Sequence, residues 1–136
     1  MYENKIAVVL LNELATWQKL NVSAFLASSV AIAFPDTHGA PLVSASGSSY
    51  LPFIKHPVLL YKADTAEQLK RAFTRAKERD LHIGIYTKEL FATKNEQENI
   101  AGIARFTDEE LNLAGIIIYG ENKKVDKATD KLKLHS

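Results

Sequence analysis

The sequence predicts an α/β domain, and three observations carry that prediction. Four short β-rich apolar runs recur along the chain: "KIAVVLL" at 5–11, "PVLLYKA" at 57–63, "LHIGIYT" at 81–87 and "LAGIIIYG" at 113–120. Each is of strand length, and the first is continuously apolar after its lysine, as a strand covered on both faces should be. Between the runs lie stretches with helical spacing and capping signals. The resulting order, β-α-hairpin-β-α-β-α-β-α, alternates as α/β layouts do. At 136 residues the simplest partition is one domain over 1–136, and no repeat or linker divides it.

Each element has its own signal. In "LATWQKLNVSAFLASSVAIAFP", Trp17, Leu20, Ala24, Ala27, Ala31 and Phe34 recur at steps of three and four, which predicts a helix stripe. Val22, Phe25, Leu26 and Ile32 occupy other faces, so this helix is expected to be largely buried, with its alanines close to the sheet, until Pro35 ends it. From 37 to 56 the chain holds two of its four prolines, and Ser46-Gly47 sits between half-apolar arms, predicting a hairpin excursion near 40–54. Asp64 and Glu67 offer a capping box to "TAEQLKRAFTRAKERD", whose Leu69, Ala72, Phe73 and Ala76 form one apolar face. "EQENIAGIARF" is a short helix and "TDEEL" a capped turn.

Composition narrows the function classes. Seventeen basic residues against sixteen acidic give a net charge of +1, so long-range attraction to nucleic acid is weak and tRNA is not an expected partner. The lysine-rich tail "NKKVDKATDKLKLHS" is interspersed with Asp126 and Asp130 and reads as a solvated face. The absence of cysteine removes disulfides, thiolate metal sites and thiol nucleophiles, and fits a cytoplasmic location. The longest apolar stretch, "FLASSVAIAF", falls well short of the ~20 residues a bilayer requires, so no membrane insertion is expected.

No strong catalytic motif is present. "GSSYL" lacks the second glycine of a nucleophile elbow, and no glycine-rich phosphate loop occurs. His38, His56, His82 and His135 are scattered singly, so no metal and no cofactor is expected. Ligands of open α/β sheets collect beyond the carboxyl ends of the strands. The residues there are Asn12 and Glu13, Lys62 and Asp64, and Thr87 and Glu89, with Asp64 already assigned to the cap. In "IYTKELFATKNEQEN", Glu89 and Thr93 are four apart and would share one face of a helical turn. Thr93 or Asn95 could equally cap the following helix, so this stretch reads as a site or as a cap.

Three segments resemble known families. They are "KIAVVLLNELATWQKLNVSAFLASSVA", "GIYTKELFAT" and the tail "VDKATDKLKLHS", and the tail resembles the ending of the archaeal and eukaryotic type of peptidyl-tRNA hydrolase. In the tail the likeness rests on Asp126, Lys127, Thr129, Leu132, Lys133 and Leu134. Through "NVSAFL" and "YTKELFAT" the chain more closely resembles a bacterial domain-of-unknown-function family, number two thousand, sharing that fold. The resemblance implies a three-layer α/β/α domain of the peptidyl-tRNA hydrolase II type. Its four-stranded mixed sheet would have the order 2-1-4-3, with the last strand antiparallel. It also implies a homodimer.

The hydrolase site transfers only in part. Its first-helix lysine and glutamine fall on Leu20 and Ala24, and a shift of one residue gives Lys19 and Ser23 instead. Its aspartate and threonine match Glu89 and Thr93 with one insertion, and threonines opening its last strand become Leu113 and Gly115. Two functions follow as expectations. One is a diverged hydrolase or small-molecule site, with Glu89 as base or anchor, Thr93 and Asn21 beside it, and Gln18, Lys19, Glu13 and Thr87 in contact with the ligand. The other is a non-catalytic dimeric or partner-binding domain. The missing lysine and glutamine argue against retained peptidyl-tRNA hydrolysis, since loss of one oxyanion donor alone can cost about 10²- to 10³-fold in rate.

Overall fold

The computed structural model describes residues 2–136. In chain order the elements are β1 (Asn4–Leu11), α1 (Thr16–Ala33), β2 (Leu42–Val43), β3 (Ser49–Tyr50), β4 (Val58–Ala63), α2 (Ala66–Glu78), β5 (His82–Thr87), α3 (Glu96–Ala104), β6 (Leu113–Glu121), α4 (Asn122–Ala128) and β7 (Lys133–Leu134). Single 3₁₀ turns occupy Pro35–Thr37, Lys88–Ala92 and Asp108–Glu110.

β1 pairs in parallel with β4 and antiparallel with β6, and Ile6–Leu11 are at most 3% exposed. An uninterrupted apolar strand of this kind must be covered on both sides. The sheet has the order β5-β6-β1-β4-β7, with β6 antiparallel to both β1 and β5. The four long strands alone therefore run β4-β1-β6-β5. The sheet has five strands rather than four, because the tail returns after α4 and lays β7 antiparallel along the free edge of β4. Two residues, one of them lysine, carry no readable periodicity, and such short charged strands are common edge devices. Residues 42–50 form the separate two-stranded hairpin β2-β3, turned at Gly47 with φ +85°.

The two sheet faces are covered unequally. Ala7, Val9, Leu11, Ile116 and Ile118 pack under Leu69, Ala72, Phe73 and Ala76 of α2 and Val125 and Ala128 of α4. Ile6, Val8, Leu10, Ile117 and Tyr119 face the opposite side and meet Val22, Leu26 and Val30 of α1, its one covering helix, with Phe34, Ile54 and Phe91 packed at the margins.

That buried face of α1 differs from the stripe the spacing suggests. Trp17 and Leu20 are 59% and 67% exposed, and Phe25 and Ile32 are exposed as well. The helix is apolar all round, so periodicity cannot select the inward face; shape does. The small residues that permit close approach lie on the sheet, not among the helix alanines. A Cβ on Gly115 of β6 would stand 2.9 Å from Val22 Cγ1 and 3.2 Å from Leu10 Cδ2. One on Gly84 of β5 would stand 2.7 Å from Ser29 Oγ.

The cap of α2 also differs by one position. Thr65 is the N-cap, its side chain accepting from Gln68 N at 3.1 Å, while Gln68 Oε1 accepts from Asp64 N at 2.8 Å. Thr65 thus caps the helix and Gln68 reaches back to the Asp64 backbone, leaving the Asp64 carboxylate free to point elsewhere.

The fit of α1 over Gly115 gives a direct test. Gly115→Ala is expected to destabilise the protein by about 1–3 kcal/mol through overpacking. In a Val22→Ala background the added methyl has room, so urea denaturation should show a smaller cost there than in the wild-type background.

Candidate functional site

The carboxyl end of β5 is where the backbone departs from regularity. The ladder with β6 shifts register between Tyr86 and Thr87, and Thr87 pairs with Leu113. Thr87 is fully buried and its hydroxyl finds no protein partner. The chain then tightens into the 3₁₀ turn Lys88–Ala92, which half-buries Glu89. One carboxylate oxygen of Glu89 accepts from Asn112 Nδ2 at 3.4 Å; the other is buried without a protein partner. Two unsatisfied buried oxygens thus lie within three residues, at a strand end where α/β sheets take ligands.

The Glu89–Thr93 stretch resolves into separate roles. Asn95, not Thr93, caps α3, accepting from Glu98 N at 2.9 Å. Thr93 Oγ1 donates to the Leu90 carbonyl at 2.8 Å and lies against the side-chain amide of Asn99. Its hydroxyl is engaged by these groups rather than by Glu89.

Between α1 and the β5–α3 segment runs an open groove of about 690 Å³. Its wall is a continuous series of rings. Trp17 meets Phe91 edge-on at 5.8 Å between centroids, Phe91 meets Tyr86 at 5.1 Å, and Tyr86 meets Phe25 at 5.9 Å. Asn21, Ser28, Thr93, Asn95 and Asn99 supply polar groups to the same groove. A neighbouring groove of about 480 Å³ is lined by Glu89, Thr93, Glu98 and Arg105. Asn21 and Thr93 therefore line the first groove and Glu89 and Thr93 the second, with Thr93 common to both.

The remaining sequence candidates fall at the start of α1. Gln18 Oε1 accepts from Ala15 N at 3.0 Å and secures the helix entry. Glu13 pairs with Lys88 at 3.5 Å on the surface. Lys19 is half-buried and reaches the strand ends, donating to Asn12 Oδ1 at 3.0 Å, with His135 Nε2 at 3.3 Å. Asn12 Nδ2 in turn donates to Asp64 Oδ1 at 3.4 Å. Lys19, not the exposed Leu20, thus faces the carboxyl ends of β1 and β4. Among the described residues no cluster of three or more His, Asp or Glu side chains could hold a metal ion.

The aromatic wall was not legible from spacing. Trp17, Asn21, Phe25, Ser28 and Ile32 share one side of α1, but in a helix apolar all round that set does not stand out. Phe91 and Tyr86 join it only through the turn after β5.

Together these features define an α/β domain with a ligand-sized aromatic groove beside the strand carboxyl ends. The chain belongs to the family described as "Protein of unknown function (DUF2000)", which it matches over residues 4–136. Among solved structures it is similar to the protein of unknown function Atu0240 from Agrobacterium tumefaciens strain C58. The identity is 34%, each chain is covered completely, and the TM-score is 0.95. No curated protein matches it. Among the described residues no helix is long and apolar enough to cross a membrane.

Burial raises the Tyr86 phenol above the usual tyrosine range. Tyr119 is raised as well, mainly by burial, with Asp36 adding to the shift and the Asn4 hydrogen bond opposing it. Both favour the neutral phenol in the folded state. Their contribution is complete below the ordinary tyrosine value of about 10 and is lost as pH rises through the raised native values. A spectrophotometric phenolate titration should show a late component that Tyr86→Phe and Tyr119→Phe each reduce.

Proposed function

We propose that the groove between α1 and the β5–α3 segment binds a small molecule with a planar apolar part and a polar edge. The observation that carries this reading is the ring series Trp17–Phe91–Tyr86–Phe25 facing the side chains of Asn21, Ser28 and Asn99. Its volume of about 690 Å³ lies within the 300–1,000 Å³ usual for small-ligand sites, and such sites combine aromatic walls with a few placed polar groups. Stacking on Trp17 and Phe91 would hold the planar part, and the amide of Asn21 would fix its orientation.

A second reading keeps a hydrolytic site at the adjoining β5 end. The strand order β4-β1-β6-β5, with helices on both faces, supports a three-layer domain of the peptidyl-tRNA hydrolase II type. The unpaired oxygens of Glu89 and Thr87 favour Glu89 as a base or anchor beside Thr93. Lys19, Gln18 and Glu13 bound the same end of α1. Against inherited peptidyl-tRNA chemistry stand the exposed Leu20 and Ala24, which occupy the aligned lysine and glutamine positions.

Trp17 is the sole tryptophan, so its fluorescence reports on groove occupancy. Titration with indole, pyridine carboxamides and purine bases is expected to give saturable quenching by at least one class. Asn21→Ala and Phe91→Ala should each weaken it by roughly 5- to 30-fold, the value of a lost aromatic or polar contact of about 1–2 kcal/mol. Saturation unchanged in both variants would overturn the groove reading. Release of N-blocked amino acids from tRNA, compared between wild type and Glu89→Gln at matched folding, tests the second reading. Activity lost in the variant supports it, and none in the wild type removes it.

A further inference from the structure

A second pocket lies on the other side of the sheet, away from α1 and its groove. It is a cavity of about 180 Å³ between α2 and the turn that joins α4 to β7, where Gln68, Arg71 and Arg75 of the helix face Asp130, Lys131 and Leu132 of the turn. Three cations against one carboxylate leave an excess of two positive charges there, in a chain whose net charge is only +1.

These cations are not neutralised from within the chain. Among the described residues the ion pairs join Lys5 to Asp126, Lys77 to Asp108 and Lys88 to Glu13, and none involves Arg71, Arg75 or Lys131. Glu67 precedes Arg71 by four residues, the spacing of a helical ion pair, yet the two do not pair. Arg75 is half-buried, and among the described residues its guanidinium makes one hydrogen bond, from Nη1 to the Asp130 carbonyl at 3.4 Å. Gln68 Oε1 accepts from Asp64 N at 2.8 Å, which leaves its amide N–H groups as donors. Two features oppose their own local structure. Arg71 and Arg75 are four apart, where like charges repel along a helix. Lys131 has φ +70°, a left-handed conformation that glycine takes freely and a side chain resists. Both penalties fall on residues lining one pocket, and an anion held among the three cations would offset the first.

We propose that this pocket binds a phosphoryl group, either free phosphate or the phosphate of a small monoester, and that the bound group clamps the turn before β7 onto α2. Charge selects the ligand. A phosphate monoester carries about −1.5 to −2 at neutral pH, which matches the excess of two, whereas a single carboxylate leaves half of it. Shape agrees, since arginine forks take phosphate oxygens two at a time. At about 180 Å³ the cavity is smaller than the ~300 Å³ at which drug-sized sites begin, so it accepts the phosphoryl end and leaves a larger substituent outside.

Thermal unfolding of the purified full chain tests this, with sodium phosphate or glycerol phosphate added at neutral pH and chloride holding the ionic strength constant. The wild-type melting temperature should rise and saturate with the added phosphate. Arg71→Gln and Lys131→Gly should each raise the apparent dissociation constant roughly tenfold or more, as the loss of a charge-assisted contact implies. Lys131→Gly also relieves the left-handed strain, so in chloride alone it should melt no lower than the wild type. Its weaker response then reads the lost ammonium and not damage to the fold. Saturation by glycerol phosphate marks a monoester as the ligand, and saturation by free phosphate alone marks the ion itself. No saturable rise with either compound overturns the proposal, and so does one that both folded variants retain unchanged.

Discussion

One helix has to cover one whole face of a five-stranded sheet, and most of the surface features follow from that mismatch. β1 and β6 are buried on both sides, so each face must be roofed. α2 and α4 share one face, but α1 is alone on the other. Five strands at roughly 4.8 Å spacing span about twice the ~10 Å width of a helix. A single helix therefore leaves open flanks, and its position sets where they lie.

That position is fixed by side-chain volume on the sheet. The missing side chains of Gly115 and Gly84 let Val22 and Ser29 approach β6 and β5, which draws α1 away from β4. On the β5 side the groove opens between α1 and the turn carrying Phe91. On the β4 side Leu60 stays 40% exposed. The two are separated by the body of the helix, so a variant on one flank need not disturb the other.

How much of this could be read from the sequence divides along the same physical line. The four long strands and the helices between them announced themselves through local periodicity and length, and "AEQLKRAFTRAKE" even disclosed its inward face, because polar residues mark the outward one. α1 did not. With apolar residues all round, its orientation is decided by glycines some 60–90 positions away in the chain, which no local pattern contains. The Glu89–Thr93 pair was recognisable as a place where function and capping compete. That Asn95 takes the cap and Thr93 turns to Leu90 depends on the register slip at the end of β5. The Lys19–Asn12–Asp64 chain was hidden by assigning Asp64 to a cap that belongs to Thr65, and β7 is too short to carry a signal.

The topology also bears on folding. β1 pairs antiparallel with β6, Leu10 with Gly115 and Asn4 with Glu121, so the central ladder joins segments more than 100 residues apart. Contacts of such sequence separation fold slowly. The final segment then seals part of the β4 edge, where His135 N donates to Leu60 O at 2.8 Å and Leu134 opposes Tyr61. Before β7 docks, β4 presents a bare border, and such exposed edges recruit other chains. Protection of this border against edge-to-edge association thus rests on two residue pairs, Tyr61 with Leu134 and Lys62 with Lys133.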